Sequence, residues 1–214
     1  MPFYSLVIFD LDGTLVDSFP FFLRTINAVA NRFGFRQIRD EEVEELRHAG
    51  TREILNRLEV PLWKLPAIAR YMRRLKSEQV SEFAPFDGVG AMLRSLSEAG
   101  IHLVLVSSDS EANARLVLGE AAAPFSHFDC SASLFGKSAK FRRVLRRTGV
   151  APAQAIAIGD ETRDIEAART AGIASGAVTW GYAAPNALKA LGPDLVFEHV
   201  DDIARVLVAG RHAD

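Results

Sequence analysis

Short apolar runs that stop at a polar or glycine-containing turn, and mostly lead into a helical pattern, constrain the fold of this chain more than any other feature. Residues 4–9 (Tyr-Ser-Leu-Val-Ile-Phe), 101–106, 155–158 and 174–179 are such runs, with weaker ones at 128–131 and 195–197. Their length and β-branched content predict strands. Helical periodicity follows at 111–118, 140–148, 165–171 and 202–208, and a further helix runs from beyond Pro85 and Gly88 to Gly100. Strands alternating with helices imply a parallel sheet covered by helices on both faces, joined by right-handed crossovers.

The alternation is interrupted once, directly after the first strand. Phe19, Phe22, Leu23, Ile26, Val29, Ala30 and Phe33 recur at helical spacing, with Asp17 or Ser18 available as cap and Gly34 as terminator. Asp40, Glu41 and Glu42 open an acidic helical turn, residues 51–58 read as a short helix, and 63–80 carry Ile68, Met72 and Leu75 at helical steps. No strand pattern occurs between 18 and 82. The chain therefore divides into an α/β unit, 1–17 with 83–214, and an all-helical unit, 18–82.

Composition sets the surroundings. Apolar residues make up 49% of the 214, enough for a sizeable core, and the formal charge of −2 gives no general attraction to nucleic acid. The basic stretch from Lys140 to Arg147 lacks aromatic interleaving and reads as the wet face of an amphipathic helix. A single cysteine, Cys130, excludes an internal disulfide and fits a reducing compartment. No apolar run approaches the ~20 residues of a membrane span. The first residues lack the basic start and small-residue cleavage site of a secretory signal. The expectation is a soluble cytoplasmic protein, monomer or homodimer, without nucleic-acid or membrane partners.

In open α/β sheets ligands sit at the carboxyl ends of the strands. The first strand delivers Asp10-Leu11-Asp12-Gly13-Thr14 there, with Gly13 permitting a sharp turn. Asp-x-Asp-Gly also opens calcium loops, but the continuation Thr14-Leu15-Val16 is too apolar for one. The strand at 101–106 delivers Ser107, Ser108 and Asp109; that at 155–158 delivers Gly159-Asp160-Glu161-Thr162-Arg163-Asp164; the loop before the helix at 140–148 delivers Gly136-Lys137. A nucleophilic carboxylate, a neighbouring acid/base, phosphate donors, metal carboxylates and a cation suit phosphoryl transfer through a covalent aspartyl-phosphate.

Asp10-x-Asp12-Gly13-Thr14 resembles the first signature of the haloacid-dehalogenase-like hydrolase superfamily. Ser107 resembles the second, with Ser108 as alternative; serines ahead of a helix also serve as plain caps. Lys137 resembles the third, with Lys140 competing; Ser138 departs from the Lys-Pro form common there. Gly159-Asp160-x-x-x-Asp164 resembles the fourth. The resemblance implies a Rossmann-like three-layer core with a central parallel sheet and an inserted all-α cap domain. It also implies a phosphatase: Asp12 is the residue that the dehalogenase branch lacks.

By the same resemblance Asp10 attacks phosphorus and Asp12, protonated at the outset, serves as acid and then base. Gly13, Thr14, Ser107 and Ser108 belong to the phosphate-binding loops. Magnesium is held by Asp10, Asp160 and the Asp12 main chain, with Asp164 on the metal, its water or Lys137. In the cap, Arg52 resembles an arginine that meets a substrate anion, although a surface arginine beside Glu53 reads equally well. Trp180 and Tyr182, in a segment resembling phosphoglycolate-phosphatase-like members, read as packing residues. The substrate class that follows is a small phosphorylated metabolite, a phosphoglycolate-like acid first. A phosphosugar mutase, a pyrophosphatase or nucleotidase, and a non-catalytic phosphate-binding protein are the alternatives.

Overall fold

The computed structural model describes residues 4–130 and 136–210. Six strands form one parallel sheet: β1 (Leu6–Phe9), β2 (His102–Ser107), β3 (Phe125–Cys130), β4 (Ala155–Gly159), β5 (Ala174–Val178) and β6 (Leu195–Phe197). Their spatial order is β3-β2-β1-β4-β5-β6, so β1 lies between β2 and β4, with Phe9 opposite Leu105 and Ile158. Buried on both faces, β1 is apolar throughout, as a central parallel strand must be.

Side-chain alternation sorts each strand into two layers. Val7, Phe9, Leu103, Leu105, Ile156 and Ile158 pack with α5 (Val89–Glu98), α6 (Glu111–Leu118) and α10 (Val200–Ala209). Leu6, Ile8, Val104, Val106, Ala155 and Ala157 pack on the other face with α7 (Lys137–Thr148) and α8 (Thr162–Ala171). This is the α/β three-layer core expected from the sequence.

Between β1 and α5 every described regular element is helical: α1 (Phe19–Phe33), α2 (Val43–Arg47), α3 (Thr51–Arg57) and α4 (Leu65–Glu78), with short 3-10 turns between. These helices have an apolar cluster of their own around Ile26, Ile38, Leu46 and Leu58. The two connections to the core run side by side: Val16 bridges Pro85 in antiparallel fashion, and Phe86 N–H donates to the Leu15 carbonyl at 3.0 Å. Among the described residues no helix is long and apolar enough to cross a membrane.

Several boundaries differ from expectation, each for a local reason. α7 starts at Lys137 and α8 at Thr162, because their polar first turns carry no apolar period to read. Glu161 and Asp164 close a capping box at the start of α8. β3 is longer than expected, beginning at Phe125; Ser131, at the far end of the expected strand, lies outside the described residues. The short helix α9 (Pro185–Ala190) has no clear periodicity and was not expected. Ser18 precedes α1 without a side-chain cap bond; its hydroxyl lies 3.0 Å from that of Tyr182 instead. Lys140 is not on a wet face. It is buried, and its ammonium donates to the Ser107 carbonyl at 2.8 Å, so burial lowers its pKa.

Candidate active site

The strand ends bring four sequence-predicted groups into contact. Asp10 follows β1 directly, and its N–H donates to the Ile158 carbonyl of β4 at 3.0 Å, which draws the two loops together. Lys137, at the first position of α7, places Nζ 2.9 Å from Asp10 Oδ2 and also pairs with Asp164 Oδ1. Asp164 Oδ2 accepts the Glu161 N–H at 3.0 Å. Carboxylate oxygens of Asp10, Asp160 and Asp164, all buried, lie within 4.8 Å of one another.

Asp160 is held from two sides. Thr14 Oγ1 donates to its Oδ1 at 2.7 Å and the Tyr182 N–H to its Oδ2 at 2.8 Å. Two glycines allow this approach: a Cβ at Gly13 (φ +74°) would lie 2.2 Å from Asp160 Oδ2, and one at Gly181 2.3 Å from Asp160 Cβ. Trp180 and Tyr182 therefore do more than pack. The Trp180 indole N–H donates to the Thr14 carbonyl at 3.1 Å, and the Tyr182 backbone orients Asp160. Gly13 and Thr14, expected at a phosphate, shape and orient the Asp160 carboxylate in this conformation.

The electrostatics follow from burial and charge. Burial would push the Asp10 carboxyl up, but the Lys137 ammonium and the Arg163 guanidinium hold it below the ordinary carboxylate range. Burial opposes the charge on Lys137 as well; Asp10 and Asp164 outweigh it and push its pKa up to about 12. Among the described residues Asp160 has no such ion pair. Burial, then Glu161, Asp10 and Asp164, raise its pKa well above the ordinary value. A buried cluster of hard oxygen donors that cannot all ionise without a further positive charge fits a divalent cation.

Ser107 ends β2 and is buried. Its Oγ accepts the Asp109 N–H at 3.0 Å, which leaves the hydroxyl proton to donate. Ser108 is half-buried and lines a cavity of about 320 Å³ that also reaches Asp12. Arg52 is exposed at the second position of α3; its neighbour Thr51 lines the cavity.

Sequence reasoning missed Lys76. It projects from α4 into the core, where its Nζ lies 2.5 Å from Asp12 Oδ1 and 2.8 Å from Asp109 Oδ2. Burial opposes the ammonium, but Asp12 and Asp109 overcome it and raise its pKa. In sequence it is one of several basic residues on a helix, and no local signal separates it from Arg73 or Arg74. Lys76→Met is expected to destabilise the protein by about 3 kcal/mol, because Asp109 would be left buried without its cation. Urea unfolding measures this; a loss below about 0.5 kcal/mol would show that the pair is incidental.

Comparison with known proteins agrees with this geometry. Residues 7–178 match the haloacid dehalogenase-like hydrolase family. A phosphoglycolate phosphatase of Synechococcus elongatus is 32% identical over 203 residues, covering 94% of this chain and 96% of that protein. One from Xanthomonas campestris is 33% identical over 196 residues, covering 85% and 86%. In fold, the chain resembles a predicted phosphatase from Clostridium acetobutylicum with a TM-score of 0.82 and 24% identity, covering 97% of this chain and 99% of that one. The chain belongs to the haloacid dehalogenase-like hydrolase family, in its phosphoglycolate-phosphatase-like branch.

Proposed function

We propose that the protein is a magnesium-dependent phosphatase that hydrolyses a small phosphomonoester through an aspartyl-phosphate on Asp10. The observation that carries this reading is the Asp10–Lys137–Asp164 ion-pair chain beside Asp160, at the carboxyl ends of β1 and β4. A buried carboxylate kept ionised by an ammonium is a competent nucleophile. Asp10 forms a bond to phosphorus as the ester P–O bond breaks, and Asp12 gives its proton to the departing oxygen. Asp12 then takes a proton from the water that releases phosphate. In this reading Lys137 offsets the charge that develops on the phosphoryl oxygens, and Ser107 and Ser108 donate to them.

Asp12 needs a proton for the first step, yet the Lys76 ammonium occupies its Oδ1 in this conformation. An arriving substrate anion competes for that ammonium and frees Asp12. The helical unit 18–82 acts in this reading as a cap hinged at the paired connections, Val16 against Pro85. Magnesium would be held by Asp10, Asp160 and the Asp12 main chain, with Asp164 beside it, and when bound it supplies positive charge against the anionic phosphate. The similar proteins named phosphoglycolate phosphatase support a phosphoglycolate-like acid as substrate. The protein is expected to act in the cytoplasm.

The test is phosphate release from phosphoglycolate, phosphosugars and nucleotides, with and without magnesium. Release confined to magnesium supports the reading; return of phosphate to another position of the substrate would make it a mutase. Magnesium should also stabilise the protein in a pH-dependent way. Asp160 has a raised folded-state pKa, so in the metal-free protein it binds more protons than in the unfolded chain. Its contribution to stability then falls as pH rises above the ordinary value of 3.8. The rise in Tm on adding magnesium is therefore expected to be larger at pH 7 than at pH 5. An equal rise at both would exclude Asp160 as the ligand.

A further inference from the structure

The cavity that reaches Asp12 is far larger than the site needs for a two-carbon acid. It measures about 320 Å³, about twice the engineered protein cavity of about 150 Å³ that holds benzene. Its charged lining is Asp12, Asp109, Glu161 and Arg163 from the core loops, with Arg47 of α2 and Arg73 and Lys76 of α4 from the helical unit. Beyond this mouth the lining is apolar and belongs to the helical unit: Phe22 and Ile26 of α1, Leu46 of α2, Ile54 of α3, Ile68 and Met72 of α4. Phe22, Ile54, Ile68 and Met72 are only half-buried; Phe22 and Ile54 pack against the apolar cluster of that unit and Met72 against the core. Protein interiors close-pack with few voids larger than a water molecule. A hollow of this size, continuous with a group that protonates the leaving oxygen, has the form of a ligand pocket.

We infer that the protein also hydrolyses phosphomonoesters of apolar alcohols, the hydrocarbon part of the alcohol seated between α1, α2, α3 and α4. The inference rests on the phosphatase reading above. The phosphate lies at Asp10 and Lys137, the ester oxygen at Asp12, and the apolar chain runs from there into the cap. The net reaction is ester plus water to alcohol plus inorganic phosphate, the alcohol oxygen leaving with the proton from Asp12. Small phosphorylated acids would occupy only the charged mouth, near Lys76 and Arg163. Apolar leaving groups gain the buried area beyond it.

The experiment compares kcat/KM for ethyl, butyl and hexyl phosphate with that for phosphoglycolate, magnesium present throughout. Each methylene that enters the cavity should raise kcat/KM about fourfold. n-Hexanol, which lacks the phosphate, should inhibit competitively. Ile68→Phe and, as a second variant, Leu55→Phe narrow the cavity. Each should lower the hexyl-to-ethyl ratio by about tenfold or more. Turnover of phosphoglycolate with no dependence on chain length overturns the inference and leaves the phosphatase reading standing. No turnover of any ester overturns both. An unchanged hexyl-to-ethyl ratio in both variants places the chain elsewhere and also overturns the inference.

Discussion

Asp10→Asn is expected to lower kcat by at least about 10⁴-fold, the order of loss when a covalent nucleophile is removed. Asparagine keeps the shape of the side chain, so Lys137 retains its pair with Asp164. Asp10 is one of the charges that repel Asp160, and the neutral amide removes that repulsion. It also removes the ion pair with Lys137 that holds the Asp10 carboxyl low, so the metal-free variant is expected to stay folded with a Tm somewhat below that of the parent at neutral pH. The two readouts together separate chemistry from folding. Near-normal turnover in a folded variant would end the aspartyl-phosphate mechanism, and loss of turnover with a collapsed Tm would not count in its favour. Acid-quenched protein incubated with labelled substrate should carry label in the parent and none in the variant.

Lys137→Met should damage both stability and turnover. The ammonium is shared by Asp10 and Asp164, each of which is largely buried. Removing one partner of such a group costs about 3–5 kcal/mol, because the remaining charges are desolvated and unpaired. The pH dependence has a definite sign. In the parent, the lowered Asp10 carboxyl contributes stability above its unfolded value of 3.8, and this is lost as pH falls through the folded value. In the variant that contribution is absent. The stability gap between the two proteins should therefore be widest near neutral pH and narrow as the carboxyls protonate in acid. Urea titrations at pH 4 and pH 7 measure it, and a gap of equal size at both would show that packing, not charge, explains the loss. With magnesium present, kcat should still fall by about 10²- to 10³-fold, since a fixed charge aimed at the phosphoryl oxygens is gone.

The α/β core was readable because its signals are local. An apolar run such as Leu6–Phe9 is marked as a buried parallel strand by its own composition, and β2 and β4 follow the same rule. The site was readable for a related reason. Parallel strands all point their carboxyl ends to one edge, so any acidic or hydroxyl residue that follows such a run must arrive there. Asp10, Ser107 and Asp160 did, and Lys137 joined them from the start of α7.

What the sequence determined by itself was therefore the layer order, the helical unit between β1 and α5, and the set of groups at the sheet edge. Only the tertiary structure decided which of the basic residues matter. Lys140, which shares a basic run with Arg142 and Arg143, turns out to be buried against Ser107. Lys76 lies 64 positions from Asp12 and meets it only because α4 folds back over the sheet. The cavity among α1 to α4 was equally hidden, since the same apolar periodicity that fills a core can also line a hollow. Periodicity records which face of a helix avoids water, but the distance between two such faces is set by long-range packing, which no local pattern encodes.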